Sequence, residues 1–246
     1  MPKPPRSLDS HVLFDRPIYD WISRVNKKHR QLAEPAPGDA ERSRLNRWVE
    51  VHFVATLLNR EGPAISTAEV ESIVSASPDD RIPSAARNRL AALREVERLA
   101  ASEGRSASLT GNLIRRLHRP LEPGEFDASE TRDPKSVAAR IELACRWFVA
   151  DSFLQLHPVE QAAISLLRLI EIAPFADGNE GTATVAASLF TVRAGLPPLI
   201  IGPDRARAYE AALGEGLRVS TRPMVELIAE VTEQTLDEMI RLVAKG

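Results

Sequence analysis

The stretch "IEIAPFADGNEGTATVAASLF", residues 170–190, decides how the rest of the chain is read. Two apolar runs flank a turn-rich centre, "APFADGNEG". The run before it, "PVEQAAISLLRLIEI", is apolar on nearly every face at helical spacing, which predicts a central, buried helix. Pro174 stops that helix, since it lacks an N–H and biases the residue before it away from helical backbone. Phe175 is an apolar anchor for the turn, and Gly178 permits a positive φ. Asn179 is expected to cap the next helix, "TATVAASLFTVRAG", which a glycine closes. A helix reached through a glycine turn presents free N–H groups and partial positive charge, a generic seat for an anion. Glu180 puts a carboxylate in that seat. It favours the helix dipole by roughly 0.3–1 kcal/mol and repels an incoming phosphate. The expectation is that Glu180 satisfies its own helix end.

Outward from this stretch the pattern stays helical. "DAERSRLNRWVEVHFVATLLNRE" sets Leu45, Trp48, Val51, Phe53, Ala55 and Leu58 on one broad helix face. Ser66 and Glu69 form a capping box that opens another helix. "SAARNRLAALREVERLAASEG", "SVAARIELACRWFVADSFL", "DRARAYEAALGEG" and "PMVELIAEVTEQTLDEMIRLVAK" read as further helices between clusters of proline and glycine. Strand signals are confined to "PPLII" and to "GEFDASE" as one arm of a short hairpin. An all-α bundle follows, with residues 1–40 as an arm and linker and residues 41–246 as one helical domain.

Composition narrows the class. The 246 residues are 43% hydrophobic and 27% charged, a globular profile with ample core. With 32 basic and 34 acidic side chains the net charge is −2, so no global field favours nucleic acid or an anionic membrane. No apolar run approaches the roughly 18 residues of a membrane span. Cys145 is the only cysteine, which excludes an intramolecular disulfide and points to a reducing, cytoplasmic setting with a buried thiol. The five histidines, His11, His29, His52, His118 and His157, show no metal-ligand spacing and are assigned structural roles. Trp21, Trp48 and Trp147 are assigned to the core. "KKHR" and "NLIRRLHRP" read as solvated helix ends.

The central stretch resembles the signature of the Fic (Fido) family, His-Pro-Phe-x-Asp-Gly-Asn-Gly-Arg-x-x-Arg, here written "APFADGNEGTAT". The likeness extends to the helix before it, to "TVRAGLPPLIIGPDRARAYEAALGEG" after it, and to "REGPAISTAEVESIV", which is similar to the end of the family's inhibitory helix. The resemblance implies a Fic-type helical fold and an activity that transfers AMP from ATP, with Mg²⁺, to a hydroxyl of a target protein. In that scheme the motif histidine is the general base, the aspartate holds Mg²⁺, the asparagine and glycines cradle phosphates, and the arginines grip the outer phosphates.

Carried over residue by residue, Phe175, Asp177, Gly178 and Asn179 stand where the family expects them. Ala173 stands at the catalytic histidine, and general-base catalysis typically contributes about 10²- to 10⁴-fold. Leu166 stands where many members carry a second histidine. Glu180 replaces a glycine, and Gly181 and Thr184 replace the two arginines, removing charge-assisted contacts of about 1.5–3 kcal/mol each. Glu61 matches the inhibitory glutamate, but Thr184 cannot pair with it, and Leu57 stands where a serine or threonine is usual. The β-hairpin flap corresponds to "PGEFDASETRDPKSV", which is short and lacks a clear second strand.

The leading expectation is therefore a degenerate Fic-fold protein that has lost AMP transfer. It would act as a pseudoenzyme that binds a protein partner or a small ligand in the old cleft. ATP and Mg²⁺ enter only if the site still works, with Asp177 as metal ligand beside a bound phosphate. Three alternatives stand beside it. One is an enzyme of altered chemistry using a cleft lined by Asp177, Glu180 and Glu61. Another is an AMP transferase whose histidine was replaced by Ala173. The third is a structural helical module that forms a homodimer.

Overall fold

The computed structural model describes residues 16–34, 37–61, 64–75, 84–121 and 133–244. Among them the ordered elements are helices, with no strand. In chain order they are α1 (Arg16–Ala33), α2 (Asp39–Glu61), α3 (Thr67–Ser75), α4 (Ser84–Glu103), α5 (Gly111–Leu121), α6 (Pro134–Trp147), α7 (Asp151–Leu154), α8 (Pro158–Ile172), α9 (Asn179–Val192), α10 (Ala206–Gly216) and α11 (Arg222–Ala244). Short 3₁₀ turns cover Gly104–Ser106 and Pro203–Arg205.

α8 and α9 form a hairpin at the centre, and they pack on each other more extensively than any other pair. The reason lies in their side chains. Val159, Ala162, Ala163 and Leu166 of α8 are fully buried, as are Val185, Ala186, Ala187 and Phe190 of α9. Small residues let the two backbones approach, while α4, α5 and α11 close over the hairpin. His157, assigned a structural role, opens α8 as part of a full capping box. The His157 ring accepts from the Val159 N–H at 3.2 Å, and Glu160 accepts from the His157 N–H at 2.9 Å.

Several local expectations differ from what is found. "PPLII" forms no strand. The Leu199 N–H donates to Ser188 Oγ at 3.0 Å, so a side chain of α9 takes the place of a ladder partner. The other strand candidate, "GEFDASE", lies outside the described residues. α2 is not one-faced. Phe53 and Leu57 join the main core, while Val51, Val54 and Ala55 join a second cluster with Val70, Ala86 and Leu90 of α3 and α4. Two cores on opposite sides bury most of its second half, which a single-stripe reading cannot express. The tryptophans are less buried than assigned: Trp147 is 40% exposed, and Trp21 and Trp48 lie half-buried. α1, within the expected arm, lies along α11. Val25 is fully buried there, and Arg24 and Lys28 pair with Glu233 at 3.0 and 3.2 Å.

Candidate functional site

The loop between α8 and α9 is held by four devices. α8 ends on Ala173, which is left-handed at φ 45° and ψ 68° and whose N–H still donates to Leu169 O. A non-glycine residue costs roughly 1–2 kcal/mol in that conformation. Gly178, at φ 64°, makes the second left-handed turn. Asn179 does not cap the helix; Gly178 occupies the cap position without a side-chain bond. Instead the Asn179 amide clamps the loop on itself. Its Oδ1 accepts from the Phe175 N–H at 2.9 Å, and its Nδ2 donates to Phe175 O at 2.7 Å. A rigid turn results, with its two left-handed corners fixed independently.

Phe175 is the fourth device. It is 3% exposed and stacks on the His118 ring of α5, centroids 3.5 Å apart and nearly parallel. His118 Nδ1 meets Thr182 Oγ1 at 2.9 Å, and burial holds the imidazole below its usual titration range. His118 thus lies under the loop as a neutral plate that ties α5 to both the loop and α9.

The anion seat at the start of α9 is taken by an internal ion pair. Arg60 of α2 donates to Glu180, with the arginine side chain 11% exposed and the glutamate 44% exposed. The expectation that Glu180 serves only its own helix end is therefore corrected: its carboxylate reaches across to α2. The Arg60 guanidinium also lies 4.3 Å from the centroid of the Tyr209 ring of α10. Tyr209 is 4% exposed, and burial pushes its phenol well above the usual range while Arg60 opposes the shift. Arginine, carboxylate and phenol from three helices so converge on one helix start.

The remaining sequence-derived candidates fall on both sides of this cluster. Asp177 lies exposed in the loop. No group of three or more His, Cys, Asp or Glu side chains suited to a metal occurs among the described residues. Asp177 alone does not make a Mg²⁺ site; a cation there would need oxygens brought by a phosphate. Gly181 is buried, and Thr184, fully buried, turns its hydroxyl back to Glu180 O at 2.9 Å. Leu166 is fully buried. Glu61 is the last residue of α2, and its side chain lies outside the described residues, as does most of the flap segment. Sequence reading missed Arg60, His118 and Tyr209 as parts of the site. Arg60 is one residue from Glu61, but its partner lies 120 residues away, and nothing local pairs the two.

An α8–α9 hairpin bearing this clamped loop, wrapped by α4, α5, α6 and α11, belongs to the Fic class of helical folds. Within the chain, residues 87–191 match the Fic/DOC family model. Protein adenylyltransferase Fic of Drosophila erecta is 33% identical over 138 residues, which cover 50% of this chain and 28% of that protein. The chain thus spans well under half the length of such relatives. Among solved structures, a fragment of Fic-1 from C. elegans is similar with a TM-score of 0.76 at 21% identity, covering 91% of this chain and 71% of that one. A Fic-domain signalling protein from Bacteroides thetaiotaomicron reaches 0.77 at 17% identity, covering 92% and 98%.

Proposed function

We propose that this protein keeps the Fic scaffold without its nucleotide chemistry, and that it acts by binding a protein partner or a small ligand in the Fic cleft. The observation that carries the reading is the Arg60–Glu180 pair at the start of α9. In the scheme that the family resemblance implies, phosphates sit against these N–H groups and arginines hold them. Here a carboxylate sits there, already neutralised by an arginine from α2. Ala173 supplies no base, and the nearest histidine to the loop, His118, is stacked under Phe175 and bonded to Thr182. A general base must reach the proton that it removes.

The altered-chemistry reading needs Glu180 as a free acid or base. Its engagement with Arg60 weighs against that role, because the ion pair ties the carboxylate to α2. The name of the Drosophila relatives, protein adenylyltransferase, supports a protein as the natural class of partner.

The test is labelling with Mg²⁺ and ATP carrying a reporter on the α-phosphate, using this chain and its Asp177→Ala variant on a mixture of candidate proteins. The expected result is equal, background incorporation in both. Incorporation that requires Asp177 overturns the proposal and restores a transferase.

A further inference from the structure

At the end of the α8–α9 hairpin opposite the motif loop lies a pocket of about 410 Å³. Its polar wall is built from Asn26 and His29 of α1, Arg105 of the 3₁₀ turn, His157 at the start of α8 and Arg193 at the end of α9. None of its lining residues is acidic. In a chain with slightly more acidic than basic side chains, two arginines drawn to one cavity without a carboxylate form a local inversion of charge.

Arg193 is rigidly presented. One Nη donates to Ala107 O, the other to Gln161 Oε1 at 2.7 Å, and the guanidinium lies 4.6 Å from the centroid of the Phe190 ring. Two of its five N–H groups are used in these bonds, so donors remain. Both partners are neutral oxygens, so its charge is uncompensated, and Arg105 adds a like charge beside it. Arg105 is exposed and has no hydrogen-bond or ion-pair partner among the described residues. His157 spends its Nδ1 on the cap, which leaves Nε2 as the protonated nitrogen, 3.2 Å from Asn26 Oδ1. His29 lies against Gly195, where an added Cβ would come within 3.1 Å of its Nε2. On the apolar side, Leu154 is 45% exposed at the pocket and Leu156 is half-buried.

We infer that this pocket binds a small organic oxyanion, with its phosphate or carboxylate head between Arg105 and Arg193 and its apolar body against Leu154 and Leu156. The fork of a guanidinium matches two oxygens of either head group, and an oxyanion would supply the counter-charge that the pocket lacks. Volume excludes a folded domain and admits a molecule of one ring or so.

Phenyl phosphate is the first probe, titrated into the whole chain at low salt and followed by calorimetry, with benzoate, inorganic phosphate and phenol alongside. Phenyl phosphate or benzoate should saturate, with a dissociation constant at or below about 1 mM. Phenol should not bind. Inorganic phosphate that matches phenyl phosphate would remove the apolar subsite and overturn the organic part of the inference. Arg105→Gln, at an exposed position, should weaken binding about tenfold or more while leaving the circular dichroism spectrum unchanged. No saturation with either anion, or equal affinity in Arg105→Gln, overturns the site. An anion lost on Arg60→Ala but kept on Arg105→Gln would be sitting at the motif loop, which also overturns it.

Discussion

At the scale of single residues, the balance at the start of α9 turns on two side chains. Glu180 sits where an anion would, and Arg60 is held by it over the Tyr209 ring. Replacing Glu180 by glycine releases both the helix N–H groups and a guanidinium, so Glu180→Gly should gain affinity for inorganic phosphate, seen as a phosphate-dependent rise in Tm absent from the parent chain. A ligand at 100 times its Kd stabilises by about 2.7 kcal/mol. No rise would mean that the N–H groups stay blocked by something other than this carboxylate. Phe175→Ala should cost about 3–5 kcal/mol, since it empties a buried site and strips His118 of its stacking partner, and urea unfolding would read it. Phe175 and Gly178 were legible in the sequence because a tight turn depends on its own few residues. Arg60 was not, because an ion pair between chain positions so far apart leaves no periodic trace. Asn179 was misread for a different reason. Asparagine serves equally as a helix cap and as a loop clamp, and only the second left-handed corner at Gly178 decides between them.

At the scale of elements, α8 and α9 show how far side-chain pattern carries. The apolar run of α8 announced a central helix, and it is one. For α9 the pattern gave the helix but not its chemistry: Thr184, Ser188 and Thr191 are fully buried and turn their hydroxyls back onto carbonyls three or four residues earlier. Such a packed surface resists a large charged side chain at position 184. Thr184→Arg would place an unpaired guanidinium in the core, costing on the order of 3–5 kcal/mol, so its Tm should fall by roughly 10 °C. An unchanged Tm would mean that this part of α9 opens readily to solvent. The start of α8 makes a separate prediction about acid. Burial lowers the His157 pKa to about 4, whereas an exposed imidazole titrates near 6.5. Between those values the unfolded chain takes up a proton that the fold refuses, so stability should fall as pH drops from about 6.5 to about 4. His118, also held low by burial, acts in the same direction. His157→Asn keeps a cap acceptor without the titration, and its stability should depend less steeply on pH across that window.

For the whole molecule, the division between core and surface was readable and the relation of α1 to it was not. Composition and helical spacing were enough for an all-α bundle. Residues 1–40 looked like an arm because their proline and charge content resembles a linker, yet α1 is fastened to α11 mainly by ion pairs and by Val25. Partly exposed pairs of this kind contribute about 0.2–1 kcal/mol each and weaken with salt. Glu233→Gln removes a partner of both Arg24 and Lys28, so it should lower stability by about 1 kcal/mol at low ionic strength and by less in concentrated salt. A loss that is equal in both would mean that packing rather than charge holds the helix.

The clamped loop sits at the tip of the hairpin that the rest of the bundle encloses. Amide protons of α8 and α9 should therefore exchange with solvent only when the entire fold opens, whereas those of α1 should exchange through smaller, earlier openings. The Asn179 clamp extends this slow clock to the Phe175 N–H. Few surface turns record global unfolding, and in this protein the loop between α8 and α9 would be one of them: a timer for the whole chain at the very position where mobility would ordinarily be sought.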